Sequence, residues 1–122
     1  MKSKSKKQPL KKKSEFRYHA VFITNKKGKI IKIKHPTYVF LEKGNIFIYI
    51  TITHSQNVDN AEVVQLRSNP NPKDKKAAYR VKTFKKDKKD QFGKRRKGWK
   101  MNENDKKDVW KEYKEAKEKP HF

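Results

Sequence analysis

Residues 46–53 read Ile-Phe-Ile-Tyr-Ile-Thr-Ile-Thr, an octet without charge, Gly or Pro that is the most β-prone segment of the chain. Successive side chains of a strand point to opposite faces, so the four isoleucines would lie on one face and Phe47, Tyr49 and Thr51 on the other. Apolar groups on both faces predict a strand in the centre of a sheet. We therefore expect the fold to be built around this segment.

Other β-rich runs lie on both sides of the octet. The first two are separated by Asn25-Lys-Lys-Gly28, a connection that predicts a hairpin. His35-Pro36 predicts a break after the second run, because proline lacks the amide donor and restricts the residue before it. The five runs cover residues 20–24, 29–33, 37–41, 62–66 and 77–84.

The C-terminal part of the chain predicts one helix over residues 103–118. Asn102-Glu-Asn-Asp105 resembles a capping box, and Pro120 lies just beyond the expected end. Four apolar residues recur at helical spacing and would form one narrow stripe. They are Val109, Trp110, Tyr113 and Ala116.

These elements predict a mainly β fold: a small antiparallel open barrel of five or six strands with one C-terminal helix. Residues 16–122 are expected to form this single domain. Residues 1–15 carry seven Lys within the first 13 positions and almost no large apolar groups. Such a segment buries too little surface to offset its ordering entropy, so we expect a basic flexible arm.

Positive charge dominates the composition of the 122-residue chain, which has 35 Lys and Arg, 13 Asp and Glu, and a formal net charge of +22. Solubility needs a net charge of only about 2 to 8. The surplus predicts a polyanionic partner, and nucleic acid is the natural one. An anionic membrane is not expected as the partner, because acids are mixed into the polar face of the one amphipathic helix.

Absent residues and patterns exclude several other chemistries. The chain has no Cys, so disulfides and thiolate nucleophiles are ruled out. Its four His lie in separate contexts without metal-ligand spacing, and there is no Gly-rich nucleotide loop, so we expect neither a metal nor another cofactor. No stretch suits a secretory signal or a membrane span, and a cytoplasmic location is expected.

RNA is favoured over DNA as the partner. No helix-turn-helix or zinc finger is evident, and sheets with exposed aromatic residues suit unpaired bases, which stack on the rings. The basic arm and the basic loop from residue 85 to 97 would hold phosphates, free or within a ribonucleoprotein, although Trp99 could equally close the core. The expected binding residues are Lys6, Lys7, Lys11, Lys12, Lys13, Arg80, Lys85, Lys86, Lys88, Lys89, Lys94, Arg95, Arg96 and Lys97, with Tyr79, Phe92 and Trp99 for stacking.

Thr53-His54-Ser55, at the end of the octet, supports a second hypothesis, a metal-independent endoribonuclease of toxin type. His54 would act as acid or base, with Thr53, Ser55 and Arg67 around the scissile phosphate and Asp74 available to orient them. The same residues also fit an ordinary polar strand end. A third hypothesis is a phage or mobile-element protein that inhibits or remodels a host ribonucleoprotein.

The stretch from Tyr38 to Trp110, about 60 % of the chain, resembles small uncharacterised proteins of Firmicutes and mobile elements. The resemblance is carried by Thr53-His54-Ser55 and by Asn69-Pro-Asn-Pro-Lys-Asp74, and it implies no particular activity. The layout of small strands before a terminal helix, with a Thr-x-Ser segment, also resembles the PemK-like barrels of bacterial endoribonuclease toxins. That second resemblance implies RNA cleavage without a metal.

Overall fold

The computed structural model describes residues 10–56 and 61–118, which form six β-strands, one short 3-10 turn and one α-helix. The strands lie in a single antiparallel sheet. The elements are β1 (Leu10–Thr24), β2 (Ile30–Lys43), β3 (Ile46–Thr53), β4 (Val63–Gln65), β5 (Tyr79–Val81), β6 (Lys85–Lys88), the 3-10 turn (Lys89–Gln91) and α1 (Glu103–Glu118).

Strand β3 is the centre of the sheet, as its sequence predicts. One of its edges pairs with β2, and the other pairs with β6 over its first half and with β5 at its end. The sheet order is β1-β2-β3-β5-β4, with β6 beside β3, and no pairing joins β1 to β4. The expected mainly β fold, open and with one C-terminal helix, is confirmed.

Strands β1 and β2 form a hairpin much longer than the two five-residue runs suggested. The pairing extends from Leu10 with Lys43 to Thr24 with Ile30, interrupted by a register shift near Lys12. The expected break at Pro36 is wrong, because Pro36 lies within β2 opposite Tyr18. Pairing of β2 with β3 ends at Thr37, so at Pro36 only β1 pairs with β2. The missing proline amide therefore removes no hydrogen bond to a second strand.

The start of β1 also shortens the segment assigned to the basic arm. Residues 10–15 belong to the sheet, and residues 1–9 lie outside the described part of the chain. Glu15 and Phe16 are already buried, and Leu10, Lys11 and Lys12 pair with the end of β2. The sequence could not indicate this extension, because its lysines alternate with too few apolar residues to resemble a strand.

The two faces of the sheet carry separate apolar clusters. On one face, α1 covers the main core, which includes Phe16, Tyr38, Phe40 and Ile50, with Trp99 packed at its margin. On the other face, Phe92 packs over Val39, Phe47 and Tyr49. The two-sided burial explains why β3 reads as apolar on both faces.

Helix α1 begins and packs as the sequence predicts. Oδ1 of Asn102 accepts hydrogen bonds from the amides of Asn104 and Asp105, at 2.9 and 3.3 Å, so Asn102 caps the helix. The apolar stripe faces the core, where Val109 is buried and the Trp110 and Tyr113 rings pack edge-on against Phe40. No helix within residues 10–56 and 61–118 combines the length and the apolar character needed to cross a membrane.

Candidate nucleic-acid interface

The acidic residues are segregated from one end of the sheet. Six of the 13 lie in α1, and none lies between residues 16 and 41, where Arg17 and five Lys occur. The five lysines belong to the outer end of the β1–β2 hairpin and are all exposed. They are Lys26, Lys27, Lys29, Lys32 and Lys34.

The basic loop of residues 92–98 is held along the free edge of β1 by backbone hydrogen bonds. The amide of Gly93 donates to the Tyr18 carbonyl at 2.8 Å, and the amide of Arg96 donates to the Phe16 carbonyl at 2.7 Å. Arg17 Nη1 donates to the Gly93 carbonyl at 2.8 Å. The loop therefore presents its cations beside the hairpin from a fixed backbone.

Within this loop, the guanidinium of Arg96 lies over two aromatic rings. Its central carbon is 5.2 Å from the centre of the Tyr18 ring and 5.7 Å from that of Trp99. Cation–π contacts of this kind hold a guanidinium flat while its N–H groups stay available for a phosphate. Lys94, Arg95, Arg96 and Lys97 are all exposed.

The other predicted cations divide into exposed and paired groups. Lys11, Lys12, Lys85, Lys86 and Lys88 are exposed. Lys13 and Lys89 both bind Glu42, at 3.0 and 2.8 Å, so one carboxylate offsets part of the charge of the two lysines. Lys6 and Lys7 lie outside the described residues. The basic segment expected as one loop from residue 85 to 97 is not all loop, because β6 and the 3-10 turn occupy its first seven residues.

Arg80 requires a correction, because it cannot be a phosphate ligand. It is 1 % exposed, and its Nη1 and Nη2 donate to the two carboxylate oxygens of Glu112 at 2.9 and 2.7 Å. In the sequence, Arg80 looks like one more cation in a basic stretch. Its burial follows from the contact between β5 and α1, which sequence spacing does not show.

The three aromatic residues expected to stack on bases contact other side chains of the protein. Tyr79 is 8 % exposed, and its hydroxyl accepts a hydrogen bond from Gln56 at 3.0 Å. The ring of Phe92 packs against His19, Phe47 and Tyr49. Trp99 contacts Phe16 and Tyr18, which matches the alternative that it closes the core.

His54 and Asp74 form the most chemically suggestive pair. His54 Nε2 and Asp74 Oδ2 are 2.6 Å apart, and the His54 side chain is 58 % exposed. The Lys76 amide, which donates to Asp74, and His54 together hold the pKa of Asp74 below its usual range. A carboxylate at Nε2 favours the tautomer that carries its proton there, so Nδ1 would be the basic nitrogen.

This pair lies at a cavity of about 330 Å³ on the side of the sheet that Trp99 covers. The wall includes His35, Thr53 and the aromatic residues Tyr18 and Trp99. The loop of residues 68–76 supplies Asp74 and is fixed by its own side chains, since Asn69 Oδ1 and Asn71 Oδ1 accept amide hydrogen bonds within it. The Asn-Pro-Asn-Pro-Lys-Asp run thus builds one wall of the cavity.

The remaining residues of the nuclease hypothesis are not all at this cavity. Thr53 lines it, and its hydroxyl accepts a hydrogen bond from the Ser55 amide at 3.1 Å. Arg67 is committed to α1, where Nη1 lies 2.7 Å from Asp105 and 2.9 Å from Asp108. These carboxylates raise the pKa of Arg67. Arg67 therefore acts in the structure as a link to the helix, and it does not line the His54 cavity.

A second cavity, of about 560 Å³, lies on the opposite face of the sheet and is lined by four threonines and by His19 and His35. His19 is 8 % exposed, bonded to Asp87 at 2.8 Å and packed on Tyr49 and Phe92. Its hydrogen bond lowers the pKa of Asp87. No three His, Asp or Glu side chains in the described ranges are grouped as a metal site would require.

The exposed lysines of the β1–β2 hairpin are the functional candidates that the sequence analysis missed. In the sequence, these lysines lie within, between or just after two β-rich runs and predict only a hairpin. The signal that could have revealed them is the complete absence of Asp and Glu from residues 16–41 in a chain that has 13 of them. Comparison with known proteins gave no match to a family model, a curated protein or a solved structure.

Proposed function

We propose that the chain is a cytoplasmic nucleic-acid-binding protein that prefers RNA and holds its phosphates with the hairpin lysines and the loop of residues 94–97. The observation that supports this is the segregation of charge: residues 16–41 carry Arg17 and five Lys without an acid, whereas in α1 six acids offset five Lys. An evenly basic surface would attract polyanions without any preferred orientation. A one-sided surface orients the bound strand.

The fixed backbone of the loop adds to the argument. Because Gly93 and Arg96 are hydrogen-bonded to β1, the backbone of the loop needs little ordering when a phosphate chain binds. Each phosphate that they neutralise releases condensed counterions, so the logarithm of affinity should fall linearly with the logarithm of salt concentration. Backbone contacts of this kind position a nucleic acid and do not read its sequence.

The test is fluorescence polarisation with a labelled single-stranded RNA and its duplex at several salt concentrations. In one variant, Lys94, Arg95 and Lys97 are changed to Ser. The matched control changes Lys107, Lys111 and Lys114, three exposed lysines of α1, to Ser, so that the loss of net charge is the same. We expect the loop variant to weaken binding and to reduce the salt slope by about two, since each single-strand phosphate contributes about 0.7, whereas the helix variant binds nearly as wild type. Equal losses in both variants would contradict an oriented interface.

A metal-independent endoribonuclease is the second candidate, because His54 and Asp74 are 2.6 Å apart at a cavity that also contains His35. In this mechanism, Nδ1 of His54 takes the proton from a ribose 2′-hydroxyl, and the 2′-oxygen attacks the adjacent phosphorus. The bond from phosphorus to the 5′-oxygen breaks, and that oxygen receives a proton from an acid for which His35 is the candidate. The products are a 2′,3′-cyclic phosphate and a 5′-hydroxyl.

This second candidate is tested by incubating labelled RNA with the protein in EDTA. Cyclic phosphate ends that disappear in both His54→Ala and Asp74→Asn, but persist in the control Asp90→Asn, would support cleavage by this pair. RNA that stays intact under saturating protein would contradict it. Cleavage that persists in His54→Ala would point to a contaminating nuclease and would also count against the mechanism.

A further inference from the structure

The outer end of the β1–β2 hairpin is a two-stranded ribbon made of residues 20–24 and 30–34, joined by residues 25–29. Cross-strand partners share a face, so the register places Phe22 beside Lys32 and Ala20 beside Lys34. Ile30, opposite Thr24, is the diagonal neighbour of Phe22 on the same face. We call this surface the lysine face of the ribbon.

Phe22 is the most exposed aromatic residue of this surface, with 61 % of its area accessible, and Ile30 beside it is 73 % exposed. Every other phenylalanine in residues 10–56 and 61–118 is buried or packs against a core cluster. A large apolar ring between lysines gains nothing from folding, since burial and not exposure stabilises such a group. The exposed ring beside two lysines is therefore available to a partner that presents both an apolar surface and negative charge.

We propose that the lysine face binds an unpaired stretch of nucleic acid, with Phe22 stacking on a base while Lys32 and Lys34 hold the adjacent phosphates. The inference rests on the proposed nucleic-acid binding and names the element that contacts the bases. Every base has a π-face, so stacking on an exposed ring tolerates any sequence. Phe22 offers more exposed ring surface for this role than Tyr79, which is buried, or Phe92 and Trp99, which are partly buried against other rings.

The distribution of charge along the ribbon favours this occupant over a lipid surface. A hairpin that enters a bilayer would carry apolar residues at its tip, but the connecting turn carries Lys26, Lys27 and Lys29. The first apolar residues lie behind this charged tip, on the strands. Lysines at the tip can bind the phosphates of a nucleic-acid strand, while the apolar groups behind the tip can contact its bases.

The lysine face also continues toward the rest of the interface. Side chains alternate along β1, so Phe22 and Tyr18 lie on the same face, about 13 Å apart at the usual rise of a strand. Tyr18 is in contact with Arg96 and Trp99 and lines the cavity of His54. A strand bound along the ribbon would therefore be directed along β1 to that cavity.

The experiment measures binding of a single-stranded RNA and of its duplex by Phe22→Ala, Phe22→Leu and Phe22→Tyr. We expect Ala and Leu to weaken single-strand binding by about 5- to 150-fold, with an unchanged salt slope, because they remove the ring and no charge. Phe22→Tyr should bind as wild type. Ile23→Ala is the matched control, since Ile23 is the next residue on the same strand, is 40 % exposed and points to the opposite face.

Several results would overturn the inference. If Phe22→Ala and Phe22→Leu bind single strands as wild type does while salt-dependent binding persists, the ribbon does not stack on bases and the proposed function stands alone. If Ile23→Ala weakens binding as much as Phe22→Ala, the effect reflects the stability of the hairpin. If Phe22→Ala instead abolishes binding to phosphatidylserine vesicles and leaves RNA binding intact, the occupant is a membrane. Wild-type protein without salt-dependent RNA binding would remove both proposals.

Discussion

The buried guanidinium of Arg80 in β5 forms a bidentate pair with the carboxylate of Glu112 in α1, at 2.9 and 2.7 Å. Arg80 is 1 % exposed, whereas the Glu112 side chain is 27 % exposed. The hydrogen bonds from Arg80 hold the pKa of Glu112 below its usual range. The pair joins the helix to the sheet. It uses Arg80, which the sequence analysis assigns to nucleic-acid binding.

Glu112→Gln should destabilise the fold by about 3 kcal/mol, because it leaves a buried guanidinium without its counter-charge. The measurement is the free energy of unfolding in urea. Glu115→Gln, an exposed position on the same helix, is the control and should change stability by less than about 0.5 kcal/mol. The double variant Arg80→Met with Glu112→Leu should recover most of the loss; a double variant as unstable as Glu112→Gln would contradict this account.

The stability of the fold should fall in acid partly through Glu42. Hydrogen bonds from Lys89 and Lys13 lower the pKa of Glu42 from 4.5 to about 2. A carboxyl whose pKa is lowered by folding stabilises the fold at pH values above its pKa in the unfolded chain. That contribution is lost as the pH falls from about 4.5 toward 2. Glu42→Gln should therefore cost about 1 kcal/mol at pH 7, since both lysines are about one-third exposed.

The check on Glu42 is a series of urea unfolding curves between pH 7 and pH 2. The difference between wild type and Glu42→Gln should shrink as the pH falls and vanish near the folded pKa. A difference that stays constant over this range would show that the pair of lysines does not act through charge.

Phe40 is expected to be the most sensitive position of the core. It is fully buried and contacts the rings of Phe84, Trp110 and Tyr113 at 5.2 to 5.7 Å. Phe40→Ala should reduce the free energy of unfolding by about 3 to 5 kcal/mol. Phe22→Ala removes the same atoms from an exposed site and should change stability by less than about 0.5 kcal/mol. Similar losses at both positions would be inconsistent with the described packing.

The turn of the ribbon should depend on Gly28. Its φ of +81° lies in the left-handed region, and its amide donates to the Asn25 carbonyl at 3.0 Å. Gly28→Ala should cost about 1 kcal/mol in stability, and Gly28→Asn less, because Asn tolerates this conformation better. Thermal unfolding gives the measurement. Gly93→Ala is the control, since its added carbon would meet only the Tyr18 carbonyl at 3.8 Å, and an equal effect there would remove the conformational argument.

The local elements of the fold could be predicted where apolar residues recur at regular spacing or where a turn or cap residue marks an end. The central strand, the first hairpin and the capped helix follow from alternation, a Gly-containing turn and Asn102. The extension of β1 back to Leu10 and the passage of β2 through Pro36 could not be predicted. Both depend on a neighbouring strand that supplies partners to residues with weak β preference.

The candidate site was only partly accessible from the sequence. The sequence predicts cations at residues 94–97, which the structure shows exposed, and Asp74 near His54, from which it is 2.6 Å away. A role of this pair in cleavage stays a prediction. The RNA preference, the ribonucleoprotein and mobile-element hypotheses and the resemblance to toxin barrels stay predictions. The ion pairs of Arg80 and Arg67 could not be predicted from the sequence, because α1 returns to the sheet and supplies their carboxylates, a contact across more than 30 residues.

The sequence by itself determined the surplus of positive charge, the position of the central strand and the helix that follows the basic loop, because composition and periodicity are local properties. Only the tertiary structure decided which cations are paired with acids and which of the aromatic rings in the described residues are packed or exposed. Those outcomes depend on contacts between distant segments. Packing buries or frees a side chain according to its neighbours in space, and local patterns in the sequence do not reveal these neighbours.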